Sequence, residues 1–292
     1  MKIAFQGESG AYSEAAALRF APDAVTQPCR SFEEVFDAVD TGRVTLGILP
    51  MENSIGGSIH RNYDLLVEHE LPIVGEVEMP IQHCLLGREG SSLADIRIVY
   101  SHPQALAQCE QYLGRMEGVE ILAVYDTAGG AKMVAESDRA DAAAVASRRA
   151  AEVFGLTILA EAIEDYAANV TRFVLIGRNP AAQDEATKTS LVFSLKSTPG
   201  ALFKALSGFA LREINLTKLE SRPIRGRPWE YLFYVDVDAP RESLACGRAI
   251  THVGEFSHWV RILGSYRGAA GAGGATPGAA PAERAVRTSE SE

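Results

Sequence analysis

The stretch KIAFQGESGAYSEAAALRFA, residues 2–21, contains the pattern that decides the fold. A short apolar run ends in small polar residues, and an alanine-rich helical sequence follows at once. The same order recurs before residue 178 in segments that begin VTLGILP, DIRIVY, EILAVYD and DAAAVA. Strands that alternate with helices in this way predict parallel βαβ units and therefore an α/β fold.

A different order of elements follows a polar segment at residues 177–189, which we interpret as a linker. The elements predicted beyond it are a strand at 190–196, a helix opened by Thr198 and Pro199, strands near 214–222 and 229–237, a helix near 241–253 and a strand near 259–264. This βαββαβ order is ferredoxin-like. The last segment, 268–292, has almost no bulky apolar side chains, so we expect a disordered tail there.

Composition limits the class of protein and its partners. The 292 residues are 47% hydrophobic and 23% charged, as in a globular protein of about two domains. The net charge of −10 disfavours nucleic acid and anionic membranes as partners. The six histidines and four cysteines lack metal-binding spacings, so we expect free thiols and no metal. The N-terminus MKIAFQGESG is too polar for a secretory signal, and no segment could span a membrane, so we expect a cytoplasmic protein.

Polar residues cluster where the predicted strands end and helices begin. Ligands of open α/β sheets bind at this edge, and helix N-termini there favour anions. The polar residues in these positions are Ser9, Tyr12, Ser13, Asn53, Ser54, Ser58, Ser101, His102, Gln104, Thr127, Ser147, Asn169, Thr171 and Arg172. Many of them could act only as helix caps, and His102 could belong to a turn. Arg172, at the mouth of an apolar strand, needs a counter-charge, and we predict an anionic ligand.

Eight motifs together resemble one enzyme family. GESGAYSEAA, PMENSIGGS, SHPQALAQC and NVTRF, in this order, resemble the catalytic domain of prephenate dehydratase. TPGALF, INLTKLESRP, WEYLFYVDV and WVRILGSY resemble the ACT regulatory domain that follows it. The resemblance covers about residues 1–267 and implies two domains. These are a catalytic domain at 1–180, two-lobed like type II periplasmic binding proteins (lobe 1 at 1–77 and 163–178, lobe 2 at 78–162), and an ACT domain at 188–267.

The resemblance also implies a reaction, the conversion of prephenate to phenylpyruvate, water and carbon dioxide in phenylalanine biosynthesis. The reaction creates an aromatic ring, so we expect no cofactor. By resemblance, Thr171 would assist the leaving hydroxyl; we assign Arg172 to a substrate carboxylate, and Glu52 and His102 are alternative proton sources. Phe173 is expected to pack beneath the site. The neutral hydrogen-bond donors would be Ser13, Asn53, Ser54 and Ser147.

Regulation is implied by the ACT motifs, because phenylalanine binds at ACT interfaces in this family and its members are commonly dimers or tetramers. The effector residues implied are Gly200, Ala201, Leu202, Asn215, Leu216, Glu220, Ser221, Arg222 and Pro223. The small residues that open the first ACT helix would admit a carboxylate, and Glu220 could take the amino group. Gly200 and Pro223 could equally shape turns.

Three alternatives stay open at this point. Arogenate dehydratase acts on the amino-acid analogue of prephenate, and one polar contact that the sequence does not identify would separate the two. A non-catalytic amino-acid sensor could share the same two-lobed fold. A fusion to chorismate mutase is not expected, because the catalytic motifs begin at residue 1.

Overall fold

The computed structural model describes residues 1–182 and 185–269. All but the first two residues of the predicted tail, 268–292, therefore lie outside the described residues. No helix within the described ranges is long and apolar enough to cross a membrane. Four cysteines, Cys29, Cys84, Cys109 and Cys246, are buried free thiols.

The chain alternates short strands and helices through most of its length. The strands are β1 (Lys2–Gln6), β2 (Val25–Cys29), β3 (Leu46–Asn53), β4 (Gly57–Ser58), β5 (Ile73–Pro80), β6 (Cys84–Gly87), β7 (Ile98–Ser101), β8 (Glu120–Ala123), β9 (Ala142–Ala146), β10 (Thr157–Ala160), β11 (Val170–Gly177), β12 (Lys188–Leu195), β13 (Leu216–Pro223), β14 (Tyr231–Val237) and β15 (Ser257–Tyr266). The helices are α1 (Tyr12–Phe20), α2 (Phe32–Asp40), α3 (His60–Glu68), α4 (Pro103–Gln108), α5 (Glu110–Leu113), α6 (Thr127–Glu136), α7 (Arg148–Phe154), α8 (Ala201–Ala210) and α9 (Leu244–Phe256).

Two of the three sheets build the lobes of the first domain. Lobe 1 has the order β2-β1-β3-β11-β5, with β4 beside β3, and lobe 2 has the order β10-β6-β9-β7-β8. The predicted two-lobed α/β class is confirmed, and parallel pairs occur in both lobes, β1 with β2 and β3 and β7 with β8 and β9, but β4, β6 and β11 run against this direction. β11 is antiparallel to β3 and β5, and β6 is antiparallel to β9 and β10. These strands follow the two crossovers, so they enter their sheets from the cleft and run away from it.

The crossovers define where one lobe ends and the other begins. The boundary expected at 77/78 falls inside β5, which stays in the lobe 1 sheet to Pro80. The chain then enters lobe 2 before Cys84 and leaves it after Ala160, and it rejoins the lobe 1 sheet at Val170.

The third sheet, with the order β13-β14-β12-β15, confirms the predicted βαββαβ domain. Its first helix begins at Ala201 behind Gly200, which has a φ of 71° and provides no side-chain cap, so the expected start at Thr198 and Pro199 is wrong. One face of this sheet packs on α8 and α9, and the other packs on the back of lobe 1. The contact is close, because a Cβ on Gly264 would lie 2.2 Å from the Ile73 carbonyl oxygen.

Candidate active site

A cavity of about 160 Å³ lies between the lobes, at the edge where β3 ends and β11 begins. Its predicted lining residues are Ser13, Asn53, His102, Gln104, Thr127, Thr171 and Phe173. The other lining residues are Tyr12, Pro50, Ile59, Ile81, His83, Ala105 and Gln108. An outer cavity of about 510 Å³ shares several of these residues and extends the site to the exposed Arg30. The two cavities together form a cleft with an inner and an outer part.

The Thr171 hydroxyl is oriented by Asn53, which lies opposite it on β3. The Asn53 side-chain oxygen accepts the backbone N–H groups of Ile55 (3.0 Å) and Gly56 (2.7 Å), which fixes the amide orientation. The amide nitrogen then donates to Thr171 Oγ1 at 2.9 Å. Since Thr171 accepts this bond, its own proton stays free, and no acceptor for that proton is found among the described residues. The cavity therefore contains a hydroxyl prepared to donate.

A buried chain of polar side chains supports this pair from both lobes. Asn53 also donates to Asn169 Oδ1 (2.6 Å), and Asn169 donates to Gln108 Oε1 (3.2 Å). The same Gln108 oxygen lies 2.9 Å from His83 Nε2, and His83 Nδ1 lies 2.8 Å from the Tyr12 hydroxyl. Asn169 therefore supports Asn53 from behind and is not itself one of the residues that line the cavity. Sequence reasoning assigned no role to Gln108 or His83, because one ends a helix and the other lies in the first crossover.

Burial keeps His83 neutral. Desolvation lowers the pKa of its imidazole, and this effect outweighs the opposing influence of Gln108 and the carboxylate of Glu164. In the neutral ring, Nε2–H donates to Gln108 Oε1, and the unprotonated Nδ1 lies 2.8 Å from the Tyr12 hydroxyl, which donates to the Gln82 carbonyl at 2.7 Å. This arrangement fixes the orientation of the Gln108 amide.

Helix N-termini surround the cleft as predicted. The start of α1 is uncapped, because Ala11 offers no side chain, and the Ser13 hydroxyl in its first turn has no partner among the described residues. His102 Nδ1 caps α4 by accepting the Gln104 N–H, and Asp126 caps α6 just before Thr127. The α1 terminus therefore provides free donors for an anionic group.

Arg172 was predicted to bind the substrate, and this is wrong in the structure. The side chains of neighbouring strand residues alternate, so Thr171 faces the cleft and Arg172 faces the opposite side of the sheet. Arg172 makes ion pairs of 2.7 Å with Glu76 and with Asp236 of the C-terminal domain. Burial acts to lower the pKa of the Arg172 guanidinium, but Asp236 and Glu76 outweigh it and raise that pKa. The counter-charges of Arg172 are therefore carboxylates of the protein itself.

Glu52 and Ser54 also lie outside the cleft. The pairing of β3 with β11 shifts next to Arg172, where Met51 forms a bulge, so that Pro50 and Asn53 line the cleft while Met51 and Glu52 face the C-terminal domain. Glu52 pairs with Lys218 at 2.7 Å, which removes it as a proton source. The Ser54 hydroxyl bonds the backbone at the start of β11.

Ser101 and Ser147 have structural roles in place of the predicted substrate contact. Ser101 is fully buried and donates to the Val145 carbonyl at 2.6 Å. Ser147 caps α7 and donates across the cleft to the Gly10 carbonyl at 2.6 Å. A Cβ on Gly10 would meet Ala150 of α7 at 2.8 Å, so glycine permits the lobes to approach here.

The predicted effector residues divide into two groups within one chain. Gly200, Ala201 and Leu202 line a cavity of about 640 Å³ beside the exposed Trp229. None of the predicted residues on β13 lines that cavity. Asn215, just before β13, bonds Asp238. On β13, Glu220 bonds Ser58 (2.6 Å) and Lys218, and Arg222 pairs with Asp64. Leu216 is half-buried, and Ser221 and Pro223 are exposed. Glu220 is therefore not free to take an effector amino group within one chain.

Comparisons with known proteins agree over nearly the whole described chain. The family model for prephenate dehydratase matches residues 3–181, and the model for the ACT domain matches residues 189–243. The chloroplastic arogenate dehydratase/prephenate dehydratase 2 of Arabidopsis thaliana is 50% identical over 277 residues, covering 91% of this chain and 72% of the relative.

Two solved structures share the fold over nearly the whole described chain. A prephenate dehydratase from Arthrobacter aurescens in complex with L-Phe is 32% identical with a TM-score of 0.83, covering 91% of this chain and 90% of that one. GqqA, described as a novel type of quorum quenching acylase, is 40% identical with a TM-score of 0.86, covering 92% of this chain and 99% of that one.

Proposed function

The chain belongs to the prephenate dehydratase family, and on that premise we propose that its cleft converts prephenate to phenylpyruvate, water and carbon dioxide. The observation that carries the proposal is the Thr171 hydroxyl, which faces the inner cavity and accepts a bond from Asn53 at 2.9 Å while its proton stays uncommitted. A site that assists a leaving hydroxyl needs such a donor.

The reaction balances without a redox partner. The bond between the ring and its carboxylate breaks, and that electron pair completes the aromatic ring as the ring C–O bond breaks. The carboxylate leaves as carbon dioxide, and the departing hydroxide takes one proton from solvent and leaves as water. We assign Thr171 to orient and polarise the hydroxyl, because an alcohol is too weak an acid to be the efficient source of the proton.

Substrate binding is assigned to groups of the outer cleft in place of Arg172. The side-chain carboxylate of prephenate remains in the product, so a cation can bind it throughout the reaction. Arg30 lines the outer cavity and supplies that cation. The uncapped start of α1 and the Ser13 hydroxyl supply further donors. His102, Gln104 and Thr127 complete the lining from lobe 2.

Arogenate is the second candidate substrate. It differs by an amino group in place of the side-chain keto group, and Asp126 lines the outer cavity as Arg30 does, so its carboxylate is the candidate partner of an ammonium. Purified protein should be given prephenate and arogenate separately, with phenylpyruvate and phenylalanine as the measured products. Faster turnover of prephenate supports the proposal, faster turnover of arogenate replaces it, and turnover of neither refutes both.

Feedback control is proposed to act through phenylalanine at the ACT domain. The two groups of predicted effector residues do not meet within one chain, but Ser221 and Pro223 are exposed on the edge strand β13. We assign the effector site to the junction of two chains, where β13 of one copy approaches the α8 start of the other. Phenylalanine should inhibit the full chain, and Leu202→Asp, which places a negative charge beside the effector carboxylate, should abolish the response. Equal phenylalanine curves for both proteins would refute this site.

Self-association and location in the cytoplasm belong to the same proposal. Phe203 (77% exposed), Leu211 (77%) and Leu244 (69%) leave apolar side chains uncovered on the ACT domain, which favours a dimer or tetramer. Light scattering of the purified protein tests the assembly. The Arabidopsis relative is chloroplastic, and cell fractionation decides between a cytoplasmic and an organellar protein.

A further inference from the structure

Two cross-strand pairs lie side by side where β11 meets β3. Thr171 lies opposite Asn53, and the next residue, Arg172, lies opposite Glu52. The first pair faces the cleft, and the second faces the ACT domain. We call these four residues the catalytic strand pair. Because the two pairs share the same backbone, a force on Arg172 and Glu52 is transmitted to Thr171 and Asn53.

The ACT domain presents a matching pair of charges to this back face. Lys218 of β13 lies opposite Asp236 of β14 in the ACT sheet. Asp236 pairs with Arg172 and Lys218 pairs with Glu52, both at 2.7 Å. The two cations are well shielded, with 14% of the Arg172 side chain and 12% of the Lys218 side chain exposed. Two strand pairs, one from each domain, therefore meet through four alternating charges.

We propose that Asp236 and Lys218 of the ACT domain are positioning residues of the active site, which act on Thr171 and Asn53 through the catalytic strand pair. The proposal rests on the dehydratase function assigned above. A shift of β13 and β14 against lobe 1 would move the Thr171 hydroxyl relative to the leaving oxygen, and displacements of about 1 Å there are enough to slow a reaction strongly. The proposal also gives an ACT effector a path to the chemistry that does not pass through the lobe crossovers.

The same domain contact contains a matched control. Asp64 of α3 pairs with Arg222 of β13 at 2.8 Å, and both side chains are partly shielded, at 16% and 20% exposed. This pair joins lobe 1 to the same ACT strand, and within the described residues neither side chain has a hydrogen bond or ion pair to β3 or β11. Asp64→Asn therefore weakens the domain contact but leaves the catalytic strand pair unchanged.

The kinetic test measures kcat and KM at a temperature well below every melting transition. We expect Asp236→Asn to lower kcat about tenfold with KM changed less than about threefold, and Lys218→Met to act in the same direction. The loss should shrink to within about twofold when Asp236→Asn is placed in a Thr171→Ala background, since both changes act on one group. Equal losses in both backgrounds, or an equal loss in Asp64→Asn, would overturn the proposal.

A spectroscopic test gives a result even if Asp236→Asn folds poorly or the dehydratase function is wrong. In protein labelled at threonine methyl groups, the Thr171 resonance is identified by its absence in Thr171→Ser. Lys218→Met should shift this resonance, and Asp64→Asn should leave it in place. An unmoved Thr171 signal in Lys218→Met refutes the positioning role. Absence of turnover of prephenate and of arogenate by the unmodified protein refutes the function alone.

Discussion

Replacing the Thr171 hydroxyl by a methyl group tests the assignment on which the proposed reaction depends. Thr171→Val keeps the β-branched shape of a residue that is 7% exposed, so the strand and the cavity wall should be retained. It removes the hydroxyl to which the Asn53 amide donates at 2.9 Å, together with the free hydroxyl proton that faces the cavity. The substitution therefore separates chemistry from packing.

The expected magnitude follows from these two contacts. A donor that assists a leaving group contributes about 10²–10⁴ in rate, or roughly 3–5 kcal/mol of the barrier. The Asn53 amide nitrogen loses one of three acceptors but keeps Asn169 Oδ1 at 2.6 Å and the Val170 carbonyl at 3.4 Å. A buried donor left unpaired costs about 1–3 kcal/mol, and water in the adjoining cavity should hold the cost near the lower figure. We therefore expect the activation barrier to rise by more than the free energy of unfolding falls.

The assay follows phenylpyruvate formation from prephenate by ultraviolet absorbance, with thermal unfolding measured on the same samples. Thr171→Ser is the matched control, because it retains the hydroxyl while losing a methyl group, and its kcat should stay within about tenfold of the unmodified protein. KM should change little in both variants, since substrate carboxylates are bound elsewhere. A Thr171→Val protein with nearly unchanged kcat would show that the hydroxyl has no part in the reaction.

Three further predictions concern binding, pH and the domain contact. Arg30→Ala should raise the KM for prephenate about tenfold or more with little change in kcat, because it removes an interaction that substrate and product share. A fall in kcat with KM unchanged would contradict this. Burial lowers the pKa of His83 below the ordinary value of 6.5, so below that pH the unfolded chain binds more protons than the folded protein, and stability should decline as the pH falls. Thermal unfolding measures this decline, which should be smaller in His83→Gln. Equal slopes of stability against pH in both proteins would contradict the prediction. Gly264→Ala should lower the free energy of unfolding by about 1–3 kcal/mol through its clash with Ile73, whereas Gly254→Ala on α9, with open space around it, should raise it by up to about 1 kcal/mol.

The sequence was sufficient for features that depend on local order. Alternation of strands and helices predicted the α/β class of the first domain, and the later βαββαβ order predicted a ferredoxin-like second domain. The two lobes and the ACT assignment came from the resemblance of the motifs to one enzyme family. Polar residues after strands identified half the cleft lining correctly, Ser13, Asn53 and Thr171 among them. Such residues recur because a strand end and a helix start both need hydrogen-bond donors or caps. A local sequence pattern therefore locates the edge of the sheet where strands end and helices begin.

The errors arise where a contact across the fold decides the outcome. Arg172 stands next to Thr171 in sequence, but its partner Asp236 comes from another domain and 64 positions later. No local pattern shows the bulge at Met51, which turns Glu52 to the same face. Antiparallel β11 was missed for a similar reason, because strand direction depends on where the chain crosses between lobes.

The charges of the cleft fit a reaction that must release a carboxylate. None of the side chains that line the inner cavity belongs to Lys or Arg, and its polar groups are amides, hydroxyls and imidazoles. A close cation would bind the ring carboxylate most strongly before it leaves, and this would stabilise the ground state and raise the barrier. The cation of the cleft, Arg30, lies in the outer part, where it can bind the carboxylate that the product retains. If this reasoning is right, placing a cation inside the cavity by His102→Lys should tighten substrate binding and lower kcat. A lysine variant with a higher kcat would show that the neutral lining serves another purpose.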